Sequence, residues 1–396
     1  MKISTLLQLT AGLALAATPF ITEPAAAQAN KKIKIGFVTT LSGPNAAYGK
    51  DMKNSVELAL DHLGHKMGGI PVEVIYEDDE QKPEVGKQKT EKLLQRDKVD
   101  FIAGYIWSNV LLASYKPAID NKTFLISANA GPSQLAGTQC SPYFFSASWQ
   151  NDQNPMGLGM LLNQKGVKKL YIVAPNYAAG QDMATGVKAT FKGEVVGQDM
   201  TKWPDQLDFS AEISKIRAAK PDAVWIFYPS RWGVQFLTQY SQAGLKKEIP
   251  LYSVFSVDAV TLKLQKDLAL DTYFGLFWAP DLPFAANTKF VGDYKKQFKD
   301  TPTFYGAQSY DAINLIASAV VATKGNLKDK AAVQKALEAA KIDSVRGPFK
   351  FNTNHFPIEA IYQQEAYKAG DGEYDIRTIS KIVDNLEDPY AKQCKM

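Results

Sequence analysis

The fold follows from residues 33–63, which read IKIGFVTTLSGPNAAYGKDMKNSVELALDHL. A short β-rich apolar run leads into a turn and then into an amphipathic helical stretch, the pattern of a β–α unit. The same order of strand, turn and helix recurs along the chain, and strands that alternate with helices predict a parallel sheet. Residues 33–63 therefore predict an α/β protein.

The repeated units fall into two sets. The first set has predicted strands at 33–39, 72–77, 100–104 and 123–127 and helices at 46–63, 83–96 and 109–120. The second has strands at 169–174, 194–198, 223–228, 251–254 and 273–278 and helices at 179–191, 209–219 and 233–243. Residues 143–151 between them form a strand-like run, and predicted helices at 306–324 and 329–340 precede short strands at 349–352, 360–366 and 376–382. Two doubly wound domains joined by more than one crossover explain this order.

The N-terminus has the composition of a secretory signal. Lys2 precedes an apolar run at 6–20, and small residues follow at 25–29. This predicts a signal peptide over residues 1–28, cleaved near Ala27 or Ala29. The apolar run is too short for a membrane span. Export across a bacterial inner membrane to the periplasm is expected, with a disordered N-terminal tail as the alternative.

Charge and cysteine content narrow the range of ligands and cellular compartments that fit the sequence. The chain has 45 Lys and Arg against 41 Asp and Glu, a net charge of +4, and the two signs are interspersed. This balance does not suggest nucleic acid and mildly favours small anionic ligands. Cys140 and Cys394 are the only cysteines, and in an oxidising compartment we expect them to pair, with two free thiols as the alternative.

The motifs that usually mark an enzyme or a cofactor site do not occur after the predicted strands. There is no G-x-S-x-G elbow, phosphate-binding loop or dinucleotide fingerprint. His62 and His65 are spaced H-x-x-H, whereas ligands on one helical face are usually four residues apart, so no metal site is expected. The acidic run at 77–80 is interpreted as a solvated turn. The sequence thus predicts a protein that is not an enzyme and has no cofactor.

The loops that follow the predicted strands are rich in aromatic, hydroxyl and amide side chains. Ligands of open α/β sheets bind at this edge. Ser42 or Asn45 can cap the first helix, and a helix N-terminus favours a nearby anion. An aromatic side chain on a loop loses the favourable free energy of burial unless a ligand or a facing lobe covers it. The aromatic residues in these loops are Tyr48, Trp107, Trp149, Tyr177 and Trp232.

These residues resemble the type I periplasmic binding proteins of the leucine/isoleucine/valine-binding class, from about Lys32 to Asp388. The resemblance lies in Ile35-Gly36, in residues 41–49 and in Tyr310-Asp311-Ala312. It implies two doubly wound parallel-sheet lobes joined by a multi-strand hinge. Lobe 1 would comprise 32–148 plus 280–347, and lobe 2 would comprise 149–279 plus 348–390. It also implies a monomer whose partner is the membrane permease of an ABC transporter.

The resemblance also implies a ligand site. By position, Ser108, Asn129 and Gly131 would hold the ligand carboxylate, although a threonine is typical where Gly131 stands. Tyr48 and Tyr177 match wall tyrosines. A third wall tyrosine falls near Ser230 and Arg231, so its aromatic role is lost or is taken over by Trp232.

One departure concerns the ligand itself. Phe255 stands where amino-acid binders place an acidic partner for the ligand ammonium, and a buried ammonium without a partner is costly. Asp258 could substitute, which keeps a branched-chain or other amino acid open, and Arg231 would suit a further carboxylate or phenolate. With Trp107, Trp149, Phe255 and Tyr177 as walls, the preferred ligand is an aromatic carboxylate of the benzoate or cinnamate type, bound by hinge closure. The alternatives are an exported enzyme using Arg231 and Asp258, and the ligand-binding domain of a sensor.

Overall fold

Strand β1, Ile33–Thr39, is buried along nearly its whole length, because helices cover both faces of its sheet as parallel sheets require. In this computed structural model the described residues are Met1, 32–370 and 372–396. Apart from Met1, the predicted signal peptide with its cleavage sites lies outside them. Residues 32–396 belong to one compact unit.

The first sheet forms the centre of one lobe. Its strands are β1, β2 (Lys66–Met67), β3 (Ile70–Asp78), β4 (Phe101–Gly104), β5 (Phe124–Ser127) and β6 (Phe144–Ser146). Their order is β2-β3-β1-β4-β5-β6, and every pair is parallel except β2 with β3. All their parallel carboxyl ends meet at one edge.

The second sheet forms the centre of the other lobe. Its strands are β7 (Lys169–Pro175), β8 (Glu194–Thr201), β9 (Ala223–Phe227), β10 (Leu251–Val254), β11 (Thr272–Leu276), β12 (Lys350–Phe351), β13 (Pro357–Lys368) and β14 (Tyr374–Leu386). Strands β7 to β11 are parallel, whereas β12, β13 and β14 join as antiparallel neighbours. The predicted two-lobed α/β fold is confirmed, with mixed sheets.

The helices pack on the two sheets. They are α1 (Ala46–His62), α2 (Pro83–Lys92), α3 (Ser108–Asp120), α4 (Ser133–Ala136), α5 (Gln153–Gln164), α6 (Ala178–Thr190), α7 (Ser210–Ala219), α8 (Arg231–Gln242), α9 (Leu262–Gln265), α10 (Ala285–Phe298), α11 (Phe304–Ala322) and α12 (Lys330–Glu338). Helices α10 and α11 pack on α1, and α12 packs on α11, so this late segment returns to the first lobe. The exact residue boundaries of the lobes stay a prediction.

Three segments connect the lobes: 147–152, 277–284 and 339–349. Arg346 in the third segment donates hydrogen bonds to the carbonyls of Ala147 and Ser148 in the first, and its guanidinium lies 4.7 Å from the ring centre of Phe277 in the second. It also pairs with two buried carboxyl groups, Glu359 at 3.1 Å and Asp311 at 3.7 Å. A single buried arginine therefore ties all three connections together.

Two local interpretations were wrong. Neither Ser42 nor Asn45 caps α1, because a 3₁₀ turn over Gly43–Asn45 precedes the helix and the Asn45 amide bonds Gln81 instead. The acidic run at 77–80 is not a fully solvated turn. Glu77 is buried beside two lysines, and Asp79 is buried and accepts a hydrogen bond from Thr40.

Helix α10 was not predicted, although Phe290, Tyr294 and Phe298 recur at a spacing of four and the first two are buried. The predicted disulfide between Cys140 and Cys394 is confirmed, with Cα atoms 5.6 Å apart. It attaches the C-terminus to the loop between β5 and β6. Among the described residues, no helix combines the length and apolar character that a membrane span needs.

Candidate ligand-binding cleft

The loops after β4 and β5 of the first lobe face those after β7, β9 and β10 of the second, because both lobes present the carboxyl ends of their parallel strands to each other. The cleft between them has a cavity of about 20 Å³ in this conformation, room for about one water molecule. Its lining residues are Ile106, Trp107, Ser108, Asn129, Ala130, Trp149, Asn151, Tyr177, Ala179, Met183, Phe227, Pro229, Phe255 and Tyr305.

One end of the cleft is formed by the N-terminus of α3. Ser108 is the first residue of this helix, and no side chain caps its free amides. The Ser108 hydroxyl accepts a hydrogen bond from the Asn151 amide at 3.2 Å, which leaves its own proton free to donate. Hydroxyl and helix N-terminus together favour an anion at this end.

Asn151 organises the loop after β5. Its side-chain oxygen accepts the Gly131 N–H at 3.2 Å, and its own N–H donates to the Gly131 carbonyl at 2.8 Å. A Cβ at Gly131 would lie 2.1 Å from the Trp149 carbonyl oxygen, so the threonine typical of the position does not fit this backbone. The Asn129 side chain is occupied, donating to the Ile106 carbonyl and accepting from Gln308.

Aromatic rings form the body of the cleft. Phe255 stacks on Trp149 with ring centres 4.5 Å apart, and Phe227 meets Phe255 edge-on at 6.2 Å. The backbone of Phe255 has φ 58°, an unusual value for a bulky residue, and such strain is often found at ligand sites. Phe304 closes this cluster at 5.0 Å from Phe255.

A second ring cluster joins the two lobes. Tyr177 stacks on Trp203 at 4.5 Å, and Trp203 lies 4.2 Å from Trp232. Trp107 of the first lobe contacts both tryptophans, and its indole N–H is held by the Thr40 hydroxyl. The loop aromatics are therefore covered by the facing lobe.

Polar contacts also bridge the lobes. Asp182 of α6 accepts hydrogen bonds from the backbone and hydroxyl of Ser133, at 2.9 and 2.7 Å, and one from Asn151. Burial raises the pKa of Asp182, and these donors partly offset that rise. The Ser230 hydroxyl donates to the Asn45 side chain across the same boundary.

Tyr48 and Asp258 form a further bridge, placed outside the lined cleft. The Tyr48 hydroxyl donates to Asp258 at 3.2 Å, and the other carboxylate oxygen accepts the N–H groups of Val260 and Thr261. Burial is the main cause of the raised pKa of Asp258. Asp258 lines a separate cavity of about 550 Å³, which shares Phe304 as a wall with the aromatic cluster.

Arg231 lies beside the cleft without lining it. Its guanidinium is stacked 4.7 Å from the ring centre of Trp232, and its Nε is buried without a hydrogen-bond partner.

Six of the ten predicted ligand-binding residues thus line one cleft, namely Trp107, Ser108, Asn129, Trp149, Tyr177 and Phe255, whereas Tyr48, Gly131, Arg231 and Asp258 lie around it. Their roles stay predictions. Sequence reasoning missed Asn151, Tyr305 and Trp203. Asn151 lies in the strand-like run at 143–151, and Trp203 follows a strand like the other loop aromatics, so both carried a usable signal. No group of three or more His, Cys, Asp or Glu among the described residues could hold a metal ion.

Known proteins share this two-lobed architecture. The sequence profile of the family described as "Periplasmic binding protein" matches residues 32–371. The chain belongs to this family. The predicted resemblance to its type I, branched-chain amino acid class is confirmed, and the family implies a periplasmic location.

Three relatives illustrate what such proteins bind. The chain is 28% identical over 383 residues to the Leu/Ile/Val-binding protein homolog 6 of Brucella suis biovar 1 (strain 1330), covering 93% of this chain and 97% of that one. A solute-binding protein of an ABC transporter from R. palustris in complex with benzoate is 29% identical, with a TM-score of 0.86 over 92% of this chain and 100% of that one. Another from R. palustris, in complex with 4-hydroxybenzoate, is 26% identical with a TM-score of 0.86 over the same shares. Like these proteins, this periplasmic binding protein is a solute-binding component of an ABC transporter.

Proposed function

We propose that this periplasmic binding protein closes its two lobes around an aromatic carboxylate of the benzoate or cinnamate type and delivers it, as a monomer, to the membrane permease. The observation that carries the proposal is the composition of the cleft. Among the described residues that line it there is no Asp or Glu, whereas six side chains carry aromatic rings: Trp107, Trp149, Tyr177, Phe227, Phe255 and Tyr305. Such a lining suits an apolar ring and offers no carboxylate to pair with an ammonium group.

The amino-acid alternative depends on Asp258, and its contacts count against it. Its carboxylate already accepts one O–H and two N–H groups, and it faces the larger cavity behind Phe304. An ammonium would have to displace these bonds. The enzyme alternative needs Arg231 and Asp258 together, yet Arg231 stacks on Trp232 and Asp258 binds Tyr48.

The carboxylate would bind at the N-terminus of α3, where the Ser108 hydroxyl and free amides are available. The ring would lie among Trp149, Phe255 and Tyr177. A cavity of about 20 Å³ is smaller than any ring, so entry requires the lobes to separate and the three connecting segments to act as a hinge. Closure then depends on the ligand's differential affinity for the closed form.

Calorimetric titration of the mature protein with benzoate, 4-hydroxybenzoate, cinnamate, leucine and valine tests the proposal. We expect heat of binding from aromatic acids and none from the amino acids. Binding of leucine or valine without any binding of the aromatic acids would contradict it. Chromatography of the recovered ligand checks the enzyme alternative, which requires chemical conversion. Stimulation of the reconstituted permease by loaded protein is expected for transport and not for a sensor.

A further inference from the structure

Two tyrosine hydroxyls in the cleft are left without partners by the protein. Tyr177 and Tyr305 both line the cleft, and neither hydroxyl has a hydrogen-bond partner among the described residues. Some tyrosines with buried rings are bonded within the protein: the hydroxyl of Tyr105 pairs with Thr90, and that of Tyr228 pairs with Thr201. Because both residues line the cleft and neither hydroxyl bonds the protein, the two hydroxyls are available to a ligand group.

The two tyrosines approach each other from opposite lobes. Tyr177 precedes the first residue of α6 in the second lobe, and Tyr305 lies in the first turn of α11 in the first lobe. Both residues line the same small cavity, which places them on facing walls of the cleft. The Tyr305 ring is fixed by packing against Tyr48 at 4.7 Å and Phe304 at 4.3 Å.

A hydroxyl group on the ligand ring suits this pair. A phenolic O–H both donates and accepts, so it can accept from one tyrosine and donate to the other. The proposed function assigns the ligand carboxylate to Ser108 and the α3 N-terminus, so we assign a different ligand group to the two tyrosines. Building on the proposed function, we propose that the ligand is a phenolic carboxylate and that Tyr305, together with Tyr177, recognises its ring hydroxyl.

Discrimination against an unsubstituted ring follows from the same contacts. Benzoate offers no group that could bond the hydroxyls of Tyr177 and Tyr305, whereas a hydroxybenzoate gains these hydrogen bonds. We expect the better of 3- and 4-hydroxybenzoate to bind about tenfold more tightly than benzoate, or better.

Calorimetric titration of the full mature protein with benzoate, 3-hydroxybenzoate and 4-hydroxybenzoate tests the inference. Three variants are compared with the unmodified protein: Tyr305→Phe, Tyr177→Phe and the matched control Tyr310→Phe. Tyr310 lies on the same helix α11, but its hydroxyl bonds His62 away from the cleft. In Tyr305→Phe the preference for the hydroxybenzoate should fall to about twofold or less while benzoate affinity changes by less than about twofold. Tyr177→Phe should reduce the preference in the same direction, and Tyr310→Phe should keep it.

Thermal melting without ligand shows whether the variants fold. Tyr305→Phe removes a hydroxyl without a partner and should keep the melting temperature, whereas Tyr310→Phe loses a hydrogen bond and should lower it. An unchanged ligand preference in Tyr305→Phe overturns the inference. So does equal affinity of the unmodified protein for benzoate and both hydroxybenzoates, although the aromatic-acid function then stands. If no aromatic acid binds but leucine does, the proposed function itself fails.

Discussion

The first lobe brings a helix N-terminus, a serine hydroxyl and amides to the cleft, whereas the second brings mainly rings and apolar side chains. Ser108 and Asn129 belong to the first lobe, and Tyr177, Phe227 and Phe255 to the second. Under the proposed function, the first lobe would bind the ligand carboxylate, and the second lobe would select the body of the ligand. Relatives of this chain are named for Leu/Ile/Val, and similar structures contain benzoate and 4-hydroxybenzoate, so the fold accepts different ligand bodies.

The largest expected loss of stability comes from substituting Arg346, which contacts all three segments that connect the lobes. Arg346→Met removes the bonds to the Ala147 and Ser148 carbonyls and leaves Glu359 buried without its ion partner. Breaking a buried pair from one side costs about 3–5 kcal/mol, so we expect a loss of that size in the free energy of unfolding. Urea unfolding followed by circular dichroism measures it.

Arg377→Met is the matched control, because Arg377 pairs with Glu365 at 2.6 Å but 55% of its side chain is exposed. An exposed ion pair contributes less than about 1 kcal/mol. Equal losses in the two variants would mean that Arg346 does not hold the three connections together.

The proposed roles of the two lobes, carboxylate binding by the first and ring packing by the second, can be tested separately. Ser108→Ala removes the hydroxyl at the α3 N-terminus and should weaken aromatic carboxylates by about 1.5–3 kcal/mol, whatever the ring carries. Phe255→Ala removes a stacked ring and should weaken larger rings most, with cinnamate losing more than benzoate. Calorimetry with benzoate, 4-hydroxybenzoate and cinnamate separates these two patterns.

Thr288→Ala controls for a hydroxyl lost elsewhere, since the exposed Thr288 hydroxyl of α10 bonds only the Phe284 carbonyl. Its ligand affinities should match those of the unmodified protein. If Ser108→Ala left every affinity unchanged, the anion would have to bind somewhere other than the N-terminus of α3.

Much of the fold was predictable because its periodicities are local. The strand–turn–helix order of residues 33–63 recurs clearly enough to place both sheets, and ligands bind at strand ends in such sheets. That rule brought Trp107, Ser108, Tyr177 and Phe255 into one cleft. The hairpin of β13 and β14 was predicted as separate short strands, since alternation does not reveal which strands pair.

The features of the site that were not predicted depend on contacts between residues far apart in the sequence. Tyr305 enters the cleft from α11, and the pattern of a buried helix does not tell which face meets a ligand. Asn45 was predicted as a possible helix cap, but its side chain instead bonds Gln81 and Ser230, which come from distant parts of the sequence. Asp258 was placed near the ligand by spacing, yet the amides of Val260 and Thr261 hold it beside another cavity.

A pH-dependent change in stability is expected at the start of α5, where the charge of Asp182 acts on Asp152. The carboxyl of Asp152 accepts bonds from Gln150 and Tyr390, and burial, followed by the charge of Asp182, raises its pKa to about 7. Asp388 also faces it and adds to the rise.

A raised folded-state pKa means that the folded protein keeps this proton while the unfolded chain releases it above about pH 4. Its stabilising contribution is therefore complete below about pH 4 and is lost as the pH rises to about 7. Asp152→Asn is neutral at every pH, so the fall in unfolding free energy between about pH 4 and 7 should shrink by about 3 kcal/mol. The control Asp384→Asn removes an exposed carboxyl whose pKa is lowered by Lys381, so its contribution changes only below about pH 4. Urea titrations at each pH measure both slopes, and an identical slope in Asp152→Asn and the unmodified protein would mean that this carboxyl titrates alike in the folded and unfolded chain.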